Sequence, residues 1–218
     1  MHGVAINVGA NTNEPGFRGP IDAAGRFTYV PIPESEPTTE PVPTYGDLAP
    51  HLDAAIPETV HDRPVHLDPE FAGYPCGERY TYGDEHGVKA GPLSELSAGE
   101  YLFFYATLSV AEPAAWLPPE WGAFVIGQFR LARDPVTAET YPELADDRDA
   151  FANNAHVKRD PFDALVLIEG DPETSGLYER AVPLSRPGGG TEAGDLVTGY
   201  STDSGEGPWW RRPLRFDA

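Results

Sequence analysis

The chain has 218 residues and carries 15 Lys+Arg against 35 Asp+Glu, a net charge of −20. Only Lys89 and Lys158 are lysine, and the single cysteine, Cys76, excludes both an internal disulfide framework and a cysteine-rich zinc site. No apolar run approaches the ~20 residues of a membrane span, so no membrane partner is expected. Acidic surplus with almost no lysine is the composition of a protein from a high-salt cytoplasm, where carboxylates keep the surface hydrated and salt screens their repulsion. The start, Met1-His2-Gly3-Val4, reads as no signal peptide, so a cytoplasmic location is expected. The length fits one domain over residues 1–218 better than two small ones. Gly and Pro are abundant, 23 and 24 residues, but aromatics are spread along the chain, which points to a loop-rich folded protein rather than disorder.

In chain order, Val4 to Val8 is a short apolar run stopped by Gly9 and predicts a buried strand. Arg26 to Val30 alternates and then meets Pro31 and Pro33, which predicts a strand ending in an extended segment. Glu34 to Pro43 is rich in Pro, Thr and Glu and reads as a surface loop with little to bury. Asp47 is placed to cap a short helix carrying Leu48, Leu52 and Ile56. The strongest signal is the apolar run Gly99 to Leu108, followed by a second at Gly122 to Leu131. Their connection is too short for a crossover helix, so strands 101–108 and 124–131 are expected to be adjacent and antiparallel. Thr140-Tyr141-Pro142-Glu143 fits a capping box, predicting a helix to about residue 153 or 154. Ala164 to Ile168 predicts another buried strand, and Asp171-Pro172 the start of a short helix. The pattern as a whole is α+β, with a mixed, mainly antiparallel central sheet, short helices and long Pro/Gly-rich loops.

Several clusters carry residues suited to chemistry. Asn7, Asn11, Asn13 and Arg18 sit at the end of the first strand and in its loop, where Gly9, Gly16 and Gly19 permit close approach to a ligand. The alternative is that the asparagines bond the loop's own backbone, and Arg18 is the member favoured for function. His51, His61 and His66 lie among Asp53, Asp62, Asp68 and Glu70, but no pair has helical metal-ligand spacing and prolines interrupt the segment, so no metal site is expected. Tyr82 and Asp84 flank Gly83 and suit a planar ligand: an aromatic face stacks and a carboxylate accepts ring N–H bonds. The same residues also suit a turn covering the edge of the core. Trp116 and Trp121 either stack a base or cap a sheet. In Asn153-Asn154-Ala155-His156-Val157-Lys158-Arg159, one asparagine and the two cations are explained as the C-terminal end of a helix. That explanation omits His156, which becomes the leading candidate for ligand contact or acid–base work. Cys76 has no local basic partner, and Ser185 and Ser201 lack a nucleophile-elbow context.

Taken in order, Gly9-Ala10-Asn11-Thr12 with Arg18-Gly19-Pro20-Ile21, Tyr29-Val30-Pro31-Ile32-Pro33-Glu34, His66-Leu67-Asp68-Pro69-Glu70-Phe71 and Tyr82-Gly83-Asp84 form a recognisable set. Phe103-Phe104-Tyr105-Ala106, Ile126-Gly127, Asn154-Ala155-His156 and Pro183-Leu184-Ser185 continue it. The set resembles the nucleotide-modification-associated domain 3 family over nearly the whole chain, with Ala72 to Arg79 looking like an insertion. The resemblance implies work on modified nucleic-acid bases. A looser likeness to PUA-like modules such as EVE and YTH domains implies a barrel-type core and a base-seating pocket.

Two functions follow as expectations. One is a module that recognises a modified base, nucleotide or nucleic acid through Asn11, Arg18, Tyr82, Asp84, Tyr105, Asn154 and His156. The other is an enzyme of modified-nucleotide synthesis or processing with His156 and Asp84 as catalytic candidates; a protein-partner-binding domain is a third alternative. All but Asn11 are expected to converge on one pocket. The sequence names no cofactor and no oligomeric state. At 1 M salt the Debye length is ~3 Å, so affinity for a nucleotide has to come from stacking and hydrogen bonds in a small pocket rather than from charge. The acidic composition predicts a melting temperature that rises steeply from low to molar KCl; a flat or falling curve in a thermal melt would refute the high-salt assignment.

Overall fold

In the computed structural model the described residues are 2–217, leaving aside the side chains of Asp146 and Asp217. Strands β1 (His2–Asn7), β2 (Pro20–Ile21), β3 (Ile32–Pro33), β4 (Val65–His66), β5 (Thr81–Asp84), β6 (Tyr101–Val110), β7 (Trp121–Arg130), β8 (Val136–Thr137), β9 (Val166–Glu169), β10 (Gly176–Pro183) and β11 (Leu214–Asp217) follow one another along the chain. Between them lie the short helices α1 (Tyr45–Leu48), α2 (Gly87–Ser94), α3 (Ala155–Lys158) and α4 (Asp195–Thr198). The fold is mixed α+β, its sheets mostly antiparallel and its helices few. Among the described residues no helix is long and apolar enough to cross a membrane. Two compact units interleave along the sequence, one of residues 2–32, 102–128 and 177–217, the other of residues 33–101 and 129–176.

The first unit is built on the sheet ordered β10-β7-β6-β1-β11, with β2 pairing β6 in parallel. β1 runs antiparallel to β11, Ala5 opposite Leu214. The two long apolar runs are neighbours, as their composition predicts. Val110 N donates to Glu120 O at one end and Leu131 N to Glu100 O at the other, which makes the pair antiparallel. β6 is buried along most of its length because aromatic and aliphatic side chains occupy both of its faces. The sheet's hydrogen-bonded path ends at β10 and β11, so it is open, and a barrel-type closure is not confirmed. Ala5, Tyr105, Ala123, Leu184, Val197, Trp209 and Leu214 form a buried cluster on it.

The second unit holds the sheet β5-β9-β8, antiparallel throughout, with Gly83 opposite Leu167 and Val136 also opposite Leu167. A short β3–β4 ribbon accompanies it. Val136, Phe151, Ala164 and Leu167 make its buried cluster.

Several local expectations give way. Residues 26–30 make a single bridge, Ile21 to Phe27, rather than a ladder, because extended proline-flanked backbone offers few paired groups. The N-cap of α1 is Thr44; Asp47 is its third helical residue and completes the capping box from inside. Thr140 does not cap: its backbone is helical and its hydroxyl takes Thr137 N at 3.0 Å. The segment Tyr141–Phe151 winds as 3₁₀ turns broken at Ala145, φ +47°, since Pro142 and closely spaced aspartates disfavour a regular helix. Asp171 forms a side-chain turn onto Glu173 N at 2.8 Å, not a helix.

Trp209 is fully buried and donates Nε1–H to Thr191 O at 3.1 Å. Trp209→Ala is expected to cost about 3–5 kcal/mol through the cavity it leaves, measured by urea unfolding in molar KCl.

Candidate active site

The polar centre of the second unit is assembled from four short segments. β4 delivers His66, and a tight turn follows in which Asp68 N donates to His66 O at 2.9 Å. β5 delivers Tyr82, Gly83 and Asp84. Asn154 caps α3, its Oδ1 accepting His156 N at 3.0 Å, which fixes His156 one residue into the helix. Asn153 or Asn154 was expected at a helix C-terminus; Asn154 instead begins the next helix, with extended backbone at ψ 137°. Gly83 permits this packing. A Cβ there would lie 2.7 Å from His156 Cδ2 and 3.1 Å from Asn154 Oδ1.

Arg159, one turn beyond His156, organises the ionisable groups. Its Nη2 and Nε donate to Glu34 Oε1 at 2.8 and 3.1 Å, and its Nη1 to Asp163 Oδ2 at 2.7 Å and to Glu85 Oε2. Glu34 Oε2 lies 2.6 Å from His66 Nδ1, and Asp163 Oδ1 lies 2.8 Å from His156 Nδ1. The two imidazoles meet edge to face, ring centres 4.8 Å apart. Asp68 Oδ1 accepts from Gly83 N and Asn154 Nδ2, both at 2.9 Å, while Oδ2 faces His156 Nε2 at 3.8 Å. Tyr82 donates its hydroxyl to Asp84 Oδ2 at 2.7 Å, and Lys89 Nζ lies 3.6 Å from the same oxygen.

Burial sets the charge states. It would raise the Glu34 carboxyl, but hydrogen bonds from His66 and Arg159 outweigh it and hold the group at about 2. Asp68 shifts the other way. Burial pushes it well above the usual carboxylate range, the charge of Asp84 adds to the rise, and the bonds from Gly83 and Asn154 only moderate it. Glu85 is raised by burial and by neighbouring Asp163. His156 is pushed down to about 4, mainly by burial and then by His66, so its ring is neutral at neutral pH. His66, Asp68 and His156 offer ligand atoms all within 4.8 Å of one another, as do Glu85, His156 and Asp163.

Of the candidates named from the sequence, Tyr82, Asp84, Asn154 and His156 meet in this centre. Asn11, Arg18 and Tyr105 belong to the first unit. There Asn11 Oδ1 accepts Asn13 N at 2.8 Å, closing its own loop. Arg18 lies 4.5 Å over the ring of Trp121. Tyr105 is fully buried and donates its hydroxyl to Arg212 O at 2.7 Å. Trp116 braces the loop of Ala23 through Nε1, at 3.1 Å. His51 is exposed, and His61 bonds Ile56 O at 3.2 Å. Sequence reasoning missed Glu34, Glu85 and Asp163, and read Arg159 only as a helix-end cation. Glu34 closes the family motif Tyr29 to Glu34 but opens the run 34–43 that reads as a surface loop; its burial, 6% exposed, is the opposite of what that run suggests.

Removing the guanidinium while keeping its aliphatic stem, Arg159→Met, leaves Glu34 buried without its arginine partner and is expected to cost about 3–5 kcal/mol at neutral pH. Because the folded chain holds Glu34 near 2, below its ordinary value of 4.5, this contribution is complete above about pH 4.5 and fades as pH falls toward 2. Urea midpoints in molar KCl should show the gap between wild type and variant narrowing toward acid; a constant gap would exclude a role for Glu34 ionisation.

No curated protein and no solved structure matches the chain. Residues 2–218 match the family described as nucleotide modification associated domain 3. That match spans both units and takes in every residue of the polar centre. The chain belongs to the nucleotide modification associated domain 3 family.

Proposed function

We propose that the second unit is an enzyme site that processes a modified base or nucleotide, with His156 at its centre. The observation that carries this reading is the setting of His156, held at Nδ1 by Asp163, 2.8 Å away, with Nε2 turned toward Asp68 at 3.8 Å. A ring fixed on one side and presented to a carboxylate on the other is arranged for chemistry. The family's link to nucleotide modification supplies the substrate class. Asp84 and Lys89 lie beside it, and Lys89, 29% exposed at its side chain, is placed to meet a phosphate. The groups that a purely base-reading cage would use are engaged elsewhere. Asn154 spends its amide on Asp68 and Thr81, and Tyr82 gives its hydroxyl to Asp84.

A recognition module remains the second reading, favoured by one separate observation in the first unit. Trp121, with Arg18 over its ring at 4.5 Å, meets Trp210 at 5.5 Å between ring centres, and such half-buried aromatics stack bases.

The test is product analysis by mass spectrometry. The chain is incubated in molar KCl with divalent ions and 2′-deoxynucleoside monophosphates or short single strands substituted at pyrimidine C5 or purine N6. A mass change is expected, falling by about 10²-fold or more in His156→Ala. Saturable binding by calorimetry without turnover would return the recognition module, and absence of both would overturn the nucleotide reading.

A further inference from the structure

We propose that His66, Asp68 and His156 bind a single divalent transition-metal ion such as Fe²⁺, Mn²⁺ or Zn²⁺, through Nε2 of each ring and Oδ2 of the carboxylate. The sequence argued against a metal because His51, His61 and His66 have no ligand spacing. The fold supplies the second histidine from α3 instead, far along the chain.

Four features of the geometry support the site. First, the ligand atoms of the three residues lie within 4.8 Å of one another, and the residues are 4%, 6% and 4% exposed in chain order. Second, each ring has a carboxylate behind it. Glu34 stands 2.6 Å from His66 Nδ1 and Asp163 stands 2.8 Å from His156 Nδ1. That arrangement places the ring proton on Nδ1 and directs the Nε2 lone pair forward, which is how metal-ligating histidines are held. Third, Asp68 is oriented in the same way. Gly83 N and Asn154 Nδ2 both donate to Oδ1, which turns Oδ2 toward His156 Nε2. Fourth, the separation of His156 from Asp68 needs little change. Ligand atoms ~2.1 Å from a tetrahedral ion lie about 3.4 Å apart, against 3.8 Å between His156 Nε2 and Asp68 Oδ2.

The other grouping, Glu85, His156 and Asp163, is already served by a cation. Arg159 Nη1 donates to both carboxylates, and its guanidinium lies 3.4 Å from His156 Nδ1. An ion there would have to displace it. At the proposed site Asp68 and Asp84 bring two carboxylates, and Lys89 Nζ lies 3.6 Å from Asp84 Oδ2. Two nitrogen donors select transition metals over Mg²⁺ and Ca²⁺, which prefer all-oxygen shells. Three protein ligands leave positions for a small oxygen ligand, and such an ion supplies Lewis acidity toward it. The site is the one assigned above to nucleotide processing, so the proposal rests on that location, but its test needs no nucleotide.

Protein stripped with a chelator and kept in molar KCl, which screens surface carboxylates, is titrated with Zn²⁺ and Mn²⁺ by calorimetry and with Co²⁺ by visible absorbance. One equivalent is expected, with the absorption bands of mixed nitrogen and oxygen ligation, not displaced by excess Mg²⁺. Asp68→Asn keeps the side-chain shape and is expected to abolish the Co²⁺ bands while its melting curve shows it folded. His156→Gln should do the same. Glu34→Gln should weaken binding by about 10–100-fold through His66, and His51→Gln should leave it unchanged. No uptake by the wild type, several equivalents displaced by Mg²⁺, or uptake unchanged in Asp68→Asn would each overturn the site. Metal uptake without nucleotide turnover sinks the processing reading alone, whereas turnover in chelator by a protein that takes up no ion sinks the metal site alone.

Discussion

The guanidinium of Arg159 is the constraint on which the second unit's polar centre depends. Three carboxylates from three segments meet it: Glu34 at the head of the Pro/Thr/Glu-rich run, Glu85 after β5, and Asp163 ahead of β9. Its planar fork reaches all three while staying within 3.3 and 3.4 Å of the Nδ1 atoms of His66 and His156. An ammonium, a single point charge, could not span that set. The same contact anchors a segment with few apolar residues of its own. Thr38 bridges to Arg159, Thr39 N donates to Lys158 O at 2.8 Å, and Asp160 N donates to Pro37 O at 2.9 Å. The composition of residues 34–43 says surface loop. The ion pair makes its first residue part of the interior.

A second knot lies behind the first. Glu70 is fully buried, yet its oxygens are satisfied by Glu78 N, Arg79 N, Asn153 Nδ2 and the Thr81 hydroxyl, at 2.6 to 3.0 Å. Its partners include both ends of the site: Thr81 opens β5, and Asn153 precedes the cap of α3. The stretch Ala72 to Arg79, which looks like an insertion beside its family, is thereby tied down at its end rather than left loose. Thr81 in turn accepts from Asn154 Nδ2, so the network supports the cap that places His156.

The charge of −20 places a condition on any nucleic-acid role. Attraction to phosphates over a long groove is not available to this surface. A site lined by a few internal polar groups avoids the problem, since a base or nucleotide is then held by short-range contacts. The family assignment and the buried centre are therefore compatible with a chain of this acidity.

Much of the framework was legible locally. β6 and β7 are mostly apolar and joined by a short link, so their pairing followed from burial and chain length. Tyr82 and Asp84 bond each other two residues apart, within one fragment. His156 stood out because no helix-end role explained it, while the family motifs marked its neighbourhood. Helix limits were legible only in part, because a capping residue is recognised by backbone conformation as well as by its type: Thr140 has the type without the conformation, and Asn154 has both in an unexpected place. The partners of His66, His156 and Arg159 were decided by the tertiary structure alone. Glu34 and Arg159 are 125 residues apart in the chain, and neither lies in a pattern that refers to the other. Periodicity reports which face of an element is buried. It cannot report which charges are brought together once chain segments this distant pack side by side, because that depends on the whole path of the backbone between them.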